Sequence, residues 1–208
     1  LGAIGDIVYD DATNDRIRIH HNQIIKNGGQ GGAGGGISLH TGADDYKVQN
    51  NWVCGNFTQG DGAGIGHLGL SDNGLIEDNV VAFNEAFSQG SAVDGGGIFI
   101  GGQPDLMPDN TVVPPLFLTP GTGNVIVDAN LLRGNLAGAG DGGGISLRRV
   151  NGEDVNQSPG NTGPWWSVNL YNNGINNNVA ALAGGGITIQ DAACGGYRLP
   201  CPQPGPGL

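Results

Sequence analysis

The chain has 208 residues, with 8 Lys and Arg against 19 Asp and Glu and a net charge of −11. This balance excludes the clustered basic surface with which proteins neutralise nucleic-acid phosphates. No apolar run reaches the roughly 18 residues of a membrane helix. Glycine provides 42 residues, yet the apolar 38% recurs at fixed spacing, which favours a packed core over disorder. The sequence therefore predicts a folded protein with no nucleic-acid partner and no membrane insertion.

Five short segments with alternating apolar residues follow in chain order, at residues 17–19, 46–48, 74–76, 125–127 and 168–170. Each precedes two asparagines that are five residues apart, and an apolar residue lies two positions after the first asparagine. At this length the alternation predicts strands and excludes helices. The first asparagines repeat after 29, 28, 51 and 43 residues. The pairs are Asn22 and Asn27, Asn51 and Asn56, Asn79 and Asn84, Asn130 and Asn135, and Asn173 and Asn178.

A glycine-led strand completes each repeat. A single stretch such as "GDGGGISLRR", which begins at Gly140, is similar to a phosphate loop, but related stretches begin at Gly31, Gly60, Val93 and Leu182. A nucleotide site needs one such loop, whereas five copies indicate a repeat architecture. We expect about three short strands in each repeat, with glycine at the corners and each strand paired with its counterpart about 4.8 Å away. The sequence thus predicts an all-β fold, a parallel β-solenoid.

The two long repeats carry insertions at the same place, after the glycine-led strand, near residues 103–122 and 150–164. A solenoid permits this because a loop can extend from one corner while the stack continues. We predict a β-helix domain over residues 1–192, with about five to six coils, and a Pro- and Gly-rich segment over residues 193–208 that is a linker or a truncated part. Both ends are interpreted as cuts in a longer protein. Within the last segment, Cys194 and Cys201 either form a disulfide or stay free.

The stretches "IRIHHNQIIKNGG" and "NVIVDANLLRGNLAGAGDGGGISL" resemble the right-handed parallel β-helix superfamily, which has the pectate-lyase-like fold. The resemblance covers about residues 4–192 and implies right-handed winding with three sheets in cross-section. Members of this superfamily are mostly polysaccharide lyases and hydrolases, phage tailspikes, or noncatalytic surface and adhesion proteins. The resemblance therefore implies a fold and leaves the function open.

The ten paired asparagines admit a functional and a structural interpretation. In the first they form a row of ligand donors. In the second their amides bond to the backbone and to the equivalent asparagine of the next coil, as a stacked ladder. Repetition at unchanged spacing in five coils favours the ladder. Asn56 also begins the glycosylation sequon "NFT", and a place in the ladder would make it inaccessible.

An acidic column is the candidate metal site. Four residues before the isoleucine of each glycine-led strand, the repeats carry Ala33, Asp61, Asp94, Asp141 and Ala183. Three stacked carboxylates either hold a cation such as calcium or each cap their own glycine turn. The turn role is favoured, and the restriction to three adjacent coils keeps calcium as the second hypothesis. No cofactor is required by any other pattern.

The remaining candidates rest on less specific patterns. In β-helix lyases an Arg or Lys removes a proton beside calcium, so the resemblance implies that Arg148, after the fourth glycine-led strand, is a catalytic base. Trp165 and Trp166 end the second insertion, where they either stack on sugar rings or pack over a corner. His67 occupies an apolar column and is expected inside the core. Cys54 is expected as a buried free thiol.

Two classes of function follow. The favoured one is a noncatalytic extracellular or cell-surface β-helix module with a structural, adhesive or filament-forming role, because no acid and base form a recognisable catalytic pair. The alternative is a carbohydrate-binding or polysaccharide-degrading protein, in which the acidic column and the two insertions line a groove. The expected partners are other copies of the chain in the first case and a polysaccharide in the second.

Overall fold

The computed structural model describes residues 14–102, 121–151 and 165–190. These residues form twenty strands in four parallel sheets of five strands each. Each coil contributes one strand to every sheet in turn, so the chain winds through five stacked coils. The predicted parallel β-solenoid is confirmed. The predicted insertions lie almost entirely outside the described residues, and so do Cys194 and Cys201.

The first sheet contains the strands that precede the asparagine pairs. Its inward column has the predicted register, in which Ile19, Val48, Ile76, Val127 and Leu170 are partners. The three central members are fully buried, whereas Ile19 and Leu170 pack against the core in terminal coils and are partly exposed. The strands are β1 (Arg18–His20), β5 (Lys47–Gln49), β9 (Gly74–Glu77), β13 (Val125–Asp128) and β17 (Val168–Tyr171).

The second sheet lies between the two asparagines of each pair. Its inward column holds the predicted apolar residues, with Val53 in register with Val81 and Val81 with Leu132. The strands are β2 (Gln23–Ile25), β6 (Trp52–Cys54), β10 (Val80–Ala82), β14 (Leu131–Arg133) and β18 (Gly174–Asn176).

The third sheet was not predicted, and the expectation of three strands in each coil is wrong. The residue before the second asparagine of each pair has a positive φ, as at Lys26, Gly55 and Phe83, so the chain bends there. The two residues that follow the asparagine therefore pair as a separate strand. These strands are β3 (Gly28–Gly29), β7 (Phe57–Thr58), β11 (Glu85–Ala86), β15 (Leu136–Ala137) and β19 (Val179–Ala180).

The fourth sheet contains the glycine-led strands, whose leading isoleucines stack in register. Before each strand the glycine run folds across the outer face of the sheet. At Gly62, for example, a Cβ would lie 2.8 Å from the Ile65 carbonyl oxygen and 2.9 Å from Phe99, so only glycine fits. Phe99 is consequently buried although it points away from the coil interior. The strands are β4 (Ile37–His40), β8 (Ile65–Leu68), β12 (Ile98–Gly101), β16 (Ile145–Arg148) and β20 (Ile187–Gln190).

The interior of the second coil contains one polar pair. His67 is fully buried in an otherwise apolar column, as predicted, and its Nδ1 lies 2.9 Å from the Tyr46 hydroxyl. Its Nε2 lies 2.9 Å from the Gly69 carbonyl and 3.0 Å from the Thr122 carbonyl. Because carbonyls only accept, Nε2 carries the hydrogen and Nδ1 accepts from Tyr46. Burial lowers the pKa of His67 to about 4 and raises that of Tyr46, so both side chains are neutral at pH 7.

The part of the chain that the structure describes includes no helix with the length and apolar character needed to cross a membrane.

Candidate functional site

The paired asparagines form two continuous ladders. In the first, the backbone N–H and the side-chain Nδ2 of Asn51 both donate to Oδ1 of Asn79, at 2.9 and 3.0 Å. Asn79 donates in the same way to Asn130, and Asn130 to Asn173. The second ladder repeats this geometry in Asn27, Asn56, Asn84, Asn135 and Asn178.

From the second coil onward, each ladder amide also ties its coil to the preceding one. The Nδ2 of Asn79 donates to the Val48 carbonyl at 2.8 Å, and the Nδ2 of Asn84 donates to the Val53 carbonyl at 3.0 Å. Asn79 and Asn84 are fully buried. The structural interpretation of the asparagines therefore explains their contacts. Asn56, the sequon residue, is buried and donates from Nδ2 to Asn84 and to Ile24, as a ladder member should.

The acidic column is a third ladder with the opposite hydrogen-bond direction. In the asparagine ladders each Oδ1 accepts from the preceding coil, whereas in the acidic column each Oδ1 accepts from the following coil. Oδ1 of Asp61 accepts from the backbone N–H of Asp94 at 2.7 Å, and Oδ1 of Asp94 accepts from the N–H of Asp141 at 2.7 Å. Oδ1 of Asp141 accepts from the N–H of Ala183. In these contacts the carboxylates join one coil to the next, whereas the turn hypothesis expected each Asp to bond within its own glycine turn.

The two outer coils, which carry alanine at this position, show different contacts. In the first coil, where Ala33 stands, the N–H of Asp61 donates instead to the Gly32 carbonyl at 3.1 Å. In the fifth coil, Ala183 takes part in the ladder only as a donor, through its N–H to Oδ1 of Asp141. Asp61, Asp94 and Asp141 thus each accept the N–H of the equivalent residue one coil further on.

Arg148 lies across the acidic column. Its guanidinium donates to Oδ2 of Asp94, and its Nη1 lies 3.9 Å from Oδ2 of Asp61. The guanidinium also lies 5.7 Å from the centre of the Phe99 ring. The Asp94 side chain is 1% exposed and that of Arg148 is 18% exposed. The structure thus brings Arg148 together with two of the three predicted acidic residues, in a covered ion pair.

The electrostatics of Arg148 follow from this burial. Loss of solvent lowers the pKa of Arg148, the Asp61 carboxylate acts in the opposite direction, and the neighbouring Arg149 lowers it further. A guanidinium that is hydrogen-bonded to a carboxylate nevertheless keeps its proton. Arg148 is therefore placed to neutralise the column, and its engagement with Asp94 opposes the role of a free base.

The remaining carboxylate of the column also has a partner. Oδ2 of Asp141 accepts from Nε2 of Gln190, which occupies the position of Arg148 one coil further on. Within residues 14–102, 121–151 and 165–190, no group of three or more His, Cys, Asp or Glu side chains is arranged to hold a metal ion. Calcium at this column stays a prediction, and it would have to displace the contacts of Arg148 and Gln190.

The two tryptophans differ in environment. Trp165 is 54% exposed. Trp166 lies against Gly121, where a Cβ would be 2.5 Å from the indole Cδ1, and its backbone N–H donates to Oδ1 of Asn151 at 2.6 Å. Trp166 therefore packs between the feet of the two insertions, which matches the expectation that one tryptophan covers a corner. Contact of either residue with sugar stays a prediction.

Cys54 is free and half-buried on the outer side of the second sheet. It is thus less buried than its place in the repeat suggested.

Sequence reasoning missed a fourth ladder beside the first sheet. Oδ1 of Asp44 accepts from the N–H of Asp72 at 2.6 Å, and Oδ1 of Asp72 accepts from the N–H of Asn124 at 2.7 Å. Oδ1 of Asn124 accepts from Ser167. Asp44 and Asp72 each lie four residues before an inward residue of the first sheet, but Asn124 lies three before it. A search that allowed this one-residue shift would have found the ladder.

Comparisons with known proteins found no matching family, no similar curated protein and no similar solved structure. The class of protein is therefore defined by its own fold and contacts: a parallel β-solenoid, with five coils in the described residues, stabilised by asparagine and aspartate ladders.

Proposed function

We propose that this chain is a noncatalytic, extracellular or cell-surface module with a structural, adhesive or filament-forming role. We also propose that it belongs to the right-handed parallel β-helix superfamily, which the two quoted stretches resemble. The observation that carries the proposal is the state of Arg148. The residue that the resemblance implied as a base is covered and paired with Asp94 and Asp61.

The ladders support the same conclusion. The regular polar residues of the repeat bond to the backbone or to each other, as Asn79 does with Asn130 and Asp94 with Asp141. Such contacts satisfy buried polar groups and fix the register of the stack. A rigid stack of this kind suits a spacer or a display surface. The few charged residues and the regular coils support an extracellular location.

An assay for polysaccharide cleavage tests the proposal. The chain is incubated with polyuronates and neutral polysaccharides, with and without calcium, and unsaturated products and reducing ends are measured beside an active lyase. We expect no product above the blank. Product that accumulates with the unaltered chain and is lost in Arg148→Gln, while Arg133→Gln, at an exposed site on the second sheet, retains it, would favour the polysaccharide-degrading alternative.

A further inference from the structure

Two adjacent histidines, His20 and His21, bring their imidazole rings together where the first strand ends. Their Nδ1 atoms are 3.0 Å apart, and the rings lie edge to face, with centroids 5.3 Å apart and planes at 89°. Both residues are exposed. Imidazole nitrogen is the commonest metal ligand in proteins. Two such nitrogens at this separation form a candidate metal site that is separate from the acidic column.

The backbone explains why these neighbouring side chains meet. Along a regular strand, successive side chains point to opposite faces. His21 directly follows β1 and has a φ of 57°, in the left-handed region, so the alternation stops at this residue. The ring of His21 thereby reaches the ring of His20. Histidine is one of the few residues other than glycine that are enriched in this conformation, so the bend accommodates it.

The same bend recurs in all five coils, but only the first coil has imidazole rings there. The residues at the position of His21 in the later coils, all with positive φ, are Asn50, Asp78, Ala129 and Asn172. Side chains at these positions join one coil to another, as Gln49 does by donating to Glu77 and Asn172 by donating to Asp128. In the first coil the two side chains instead bond to each other. The histidine pair is thus a feature of one coil and is not required by the repeat.

The hydrogen bond between the rings can be exchanged for a bound ion. A neutral imidazole has one hydrogen, on either Nδ1 or Nε2, and in the observed contact one Nδ1 donates to the other. If the donating ring carries its hydrogen on Nε2, both Nδ1 atoms present lone pairs. The χ2 torsion of histidine has a broad range, so a small rotation directs both lone pairs to one point. The exchange releases no proton, because each neutral ring keeps its hydrogen.

The separation of the two nitrogens favours one coordination geometry. At metal–nitrogen distances of about 2.0–2.1 Å, two nitrogens at a right angle are about 2.8–3.0 Å apart, whereas two at the tetrahedral angle are about 3.3–3.4 Å apart. The observed 3.0 Å fits the right angle. Square-planar or tetragonal coordination by nitrogen and oxygen is typical of Cu²⁺ and Ni²⁺, of which Cu²⁺ binds more tightly. Calcium and magnesium prefer oxygen ligands, so the pair selects against them.

We propose that His20 and His21 bind one Cu²⁺ ion through their two Nδ1 atoms, with water in the remaining positions. This inference goes beyond the proposed structural or adhesive role and does not depend on it. Because the bend holds both rings together, coordination by the second nitrogen costs little entropy. Since β1 also carries Arg18, long-range attraction does not assist a cation here, and binding depends on the nitrogen ligands.

Titration of Cu²⁺ into the chain tests the proposal, with protein that has no added histidine tag and in a buffer that does not coordinate copper. Isothermal titration calorimetry over about 1–500 µM gives the stoichiometry and the affinity. Electron paramagnetic resonance counts the nitrogen ligands of the bound ion. At the tightest site we expect one Cu²⁺ per chain, two nitrogen ligands and an affinity at least tenfold above that for Zn²⁺.

Two substitutions remove the ligands one at a time. His20→Gln and His21→Asn should each weaken Cu²⁺ binding at least tenfold. Both variants should fold, with thermal midpoints close to that of the unaltered chain, because Gln49 and Asn50 occupy these two positions in the second coil. The matched control is His40→Gln, which removes another exposed imidazole of the same coil and should leave the binding unchanged.

Three results would overturn the proposal. The first is Cu²⁺ binding that is no tighter in the unaltered chain than in the variants of the pair, or that shows fewer than two nitrogen ligands. The second is an equal loss in His40→Gln, which would indicate binding by any exposed imidazole. The third is Zn²⁺ binding as tight as Cu²⁺ binding, which would contradict the right-angle geometry. None of these measurements detects polysaccharide product, so this inference and the proposed function fail separately.

Discussion

Replacing Asn79 by alanine should destabilise the solenoid strongly, because this residue is at the middle of the first ladder. The Asn79 side chain donates to Val48 and Asn130, and its Oδ1 accepts from both the N–H and the Nδ2 of Asn51. Truncation leaves the buried N–H of Asn51 without its acceptor and breaks three further hydrogen bonds. A buried group left unsatisfied costs about 1–3 kcal/mol, and a net hydrogen bond contributes about 1 kcal/mol.

We therefore expect Asn79→Ala to lower the free energy of unfolding by about 4–6 kcal/mol. Asn22→Ala is the control, because Asn22 lies exposed at the end of the same ladder and only donates to Asn51 and His20. Its loss should be about 1 kcal/mol or less. Urea denaturation followed by circular dichroism measures both values. Equal effects of the two substitutions would refute the reasoning that the ladder stabilises the stack through buried contacts.

A comparison of isosteric changes separates the two types of ladder. Asn79→Asp should destabilise the folded state, because a carboxylate cannot donate to Val48 or Asn130. Asp141→Asn should be nearly neutral, because Oδ1 of Asp141 only accepts from Ala183, and the side-chain amide of Gln190 can rotate to present its oxygen. The opposite order of effects in urea denaturation would contradict the assigned donors and acceptors. Ile76→Ala should cost about 2–5 kcal/mol, as truncation of a buried isoleucine does, and an unchanged denaturation midpoint would show that the column is not core. The folded-state pKa of His67, about 4, is below its unfolded value of 6.5, so the neutral side chain stabilises the fold above pH 6.5, and roughly 3 kcal/mol of the free energy of unfolding is lost as the pH falls towards 4. His67→Leu should reduce the dependence of the free energy of unfolding on pH between 6.5 and 4. An equal dependence in both proteins would mean that His67 titrates normally. Calorimetric titration of calcium into chelator-treated protein should give no heat, and heat that disappears in Asp94→Ala would establish the calcium site at the acidic column.

The inward columns and the asparagine register could be predicted because each coil repeats them at fixed offsets. Ile76 and Val127 stack as expected since a parallel stack preserves such offsets. The third sheet could not be predicted, because its two-residue strands are too short to show alternation. The bends beside it are also hidden in the sequence, since Lys26 and Phe83 occupy left-handed positions where glycine would be expected.

The candidate site could be predicted only in part. The fixed offset identified Asp61, Asp94 and Asp141 as one column, but it gave no direction for their carboxylates. Whether an Asp bonds its own turn or the next coil depends on a side-chain torsion that spacing does not encode. The contact between Arg148 and Asp94 joins residues 54 positions apart, and only the stacking of the third and fourth coils brings them together.

The central claim is that Arg148 and the acidic column stabilise the stack. A double-mutant cycle in urea denaturation, with Arg148→Gln, Asp94→Asn and the double variant, tests it most directly. Breaking a buried ion pair by removing one partner costs about 3–5 kcal/mol, so we expect each single variant to lose at least about 2 kcal/mol, because the Arg148 side chain is partly exposed. The double variant should lose much less than the sum of the two. Single variants as stable as the unaltered chain, with additive effects, would contradict the claim.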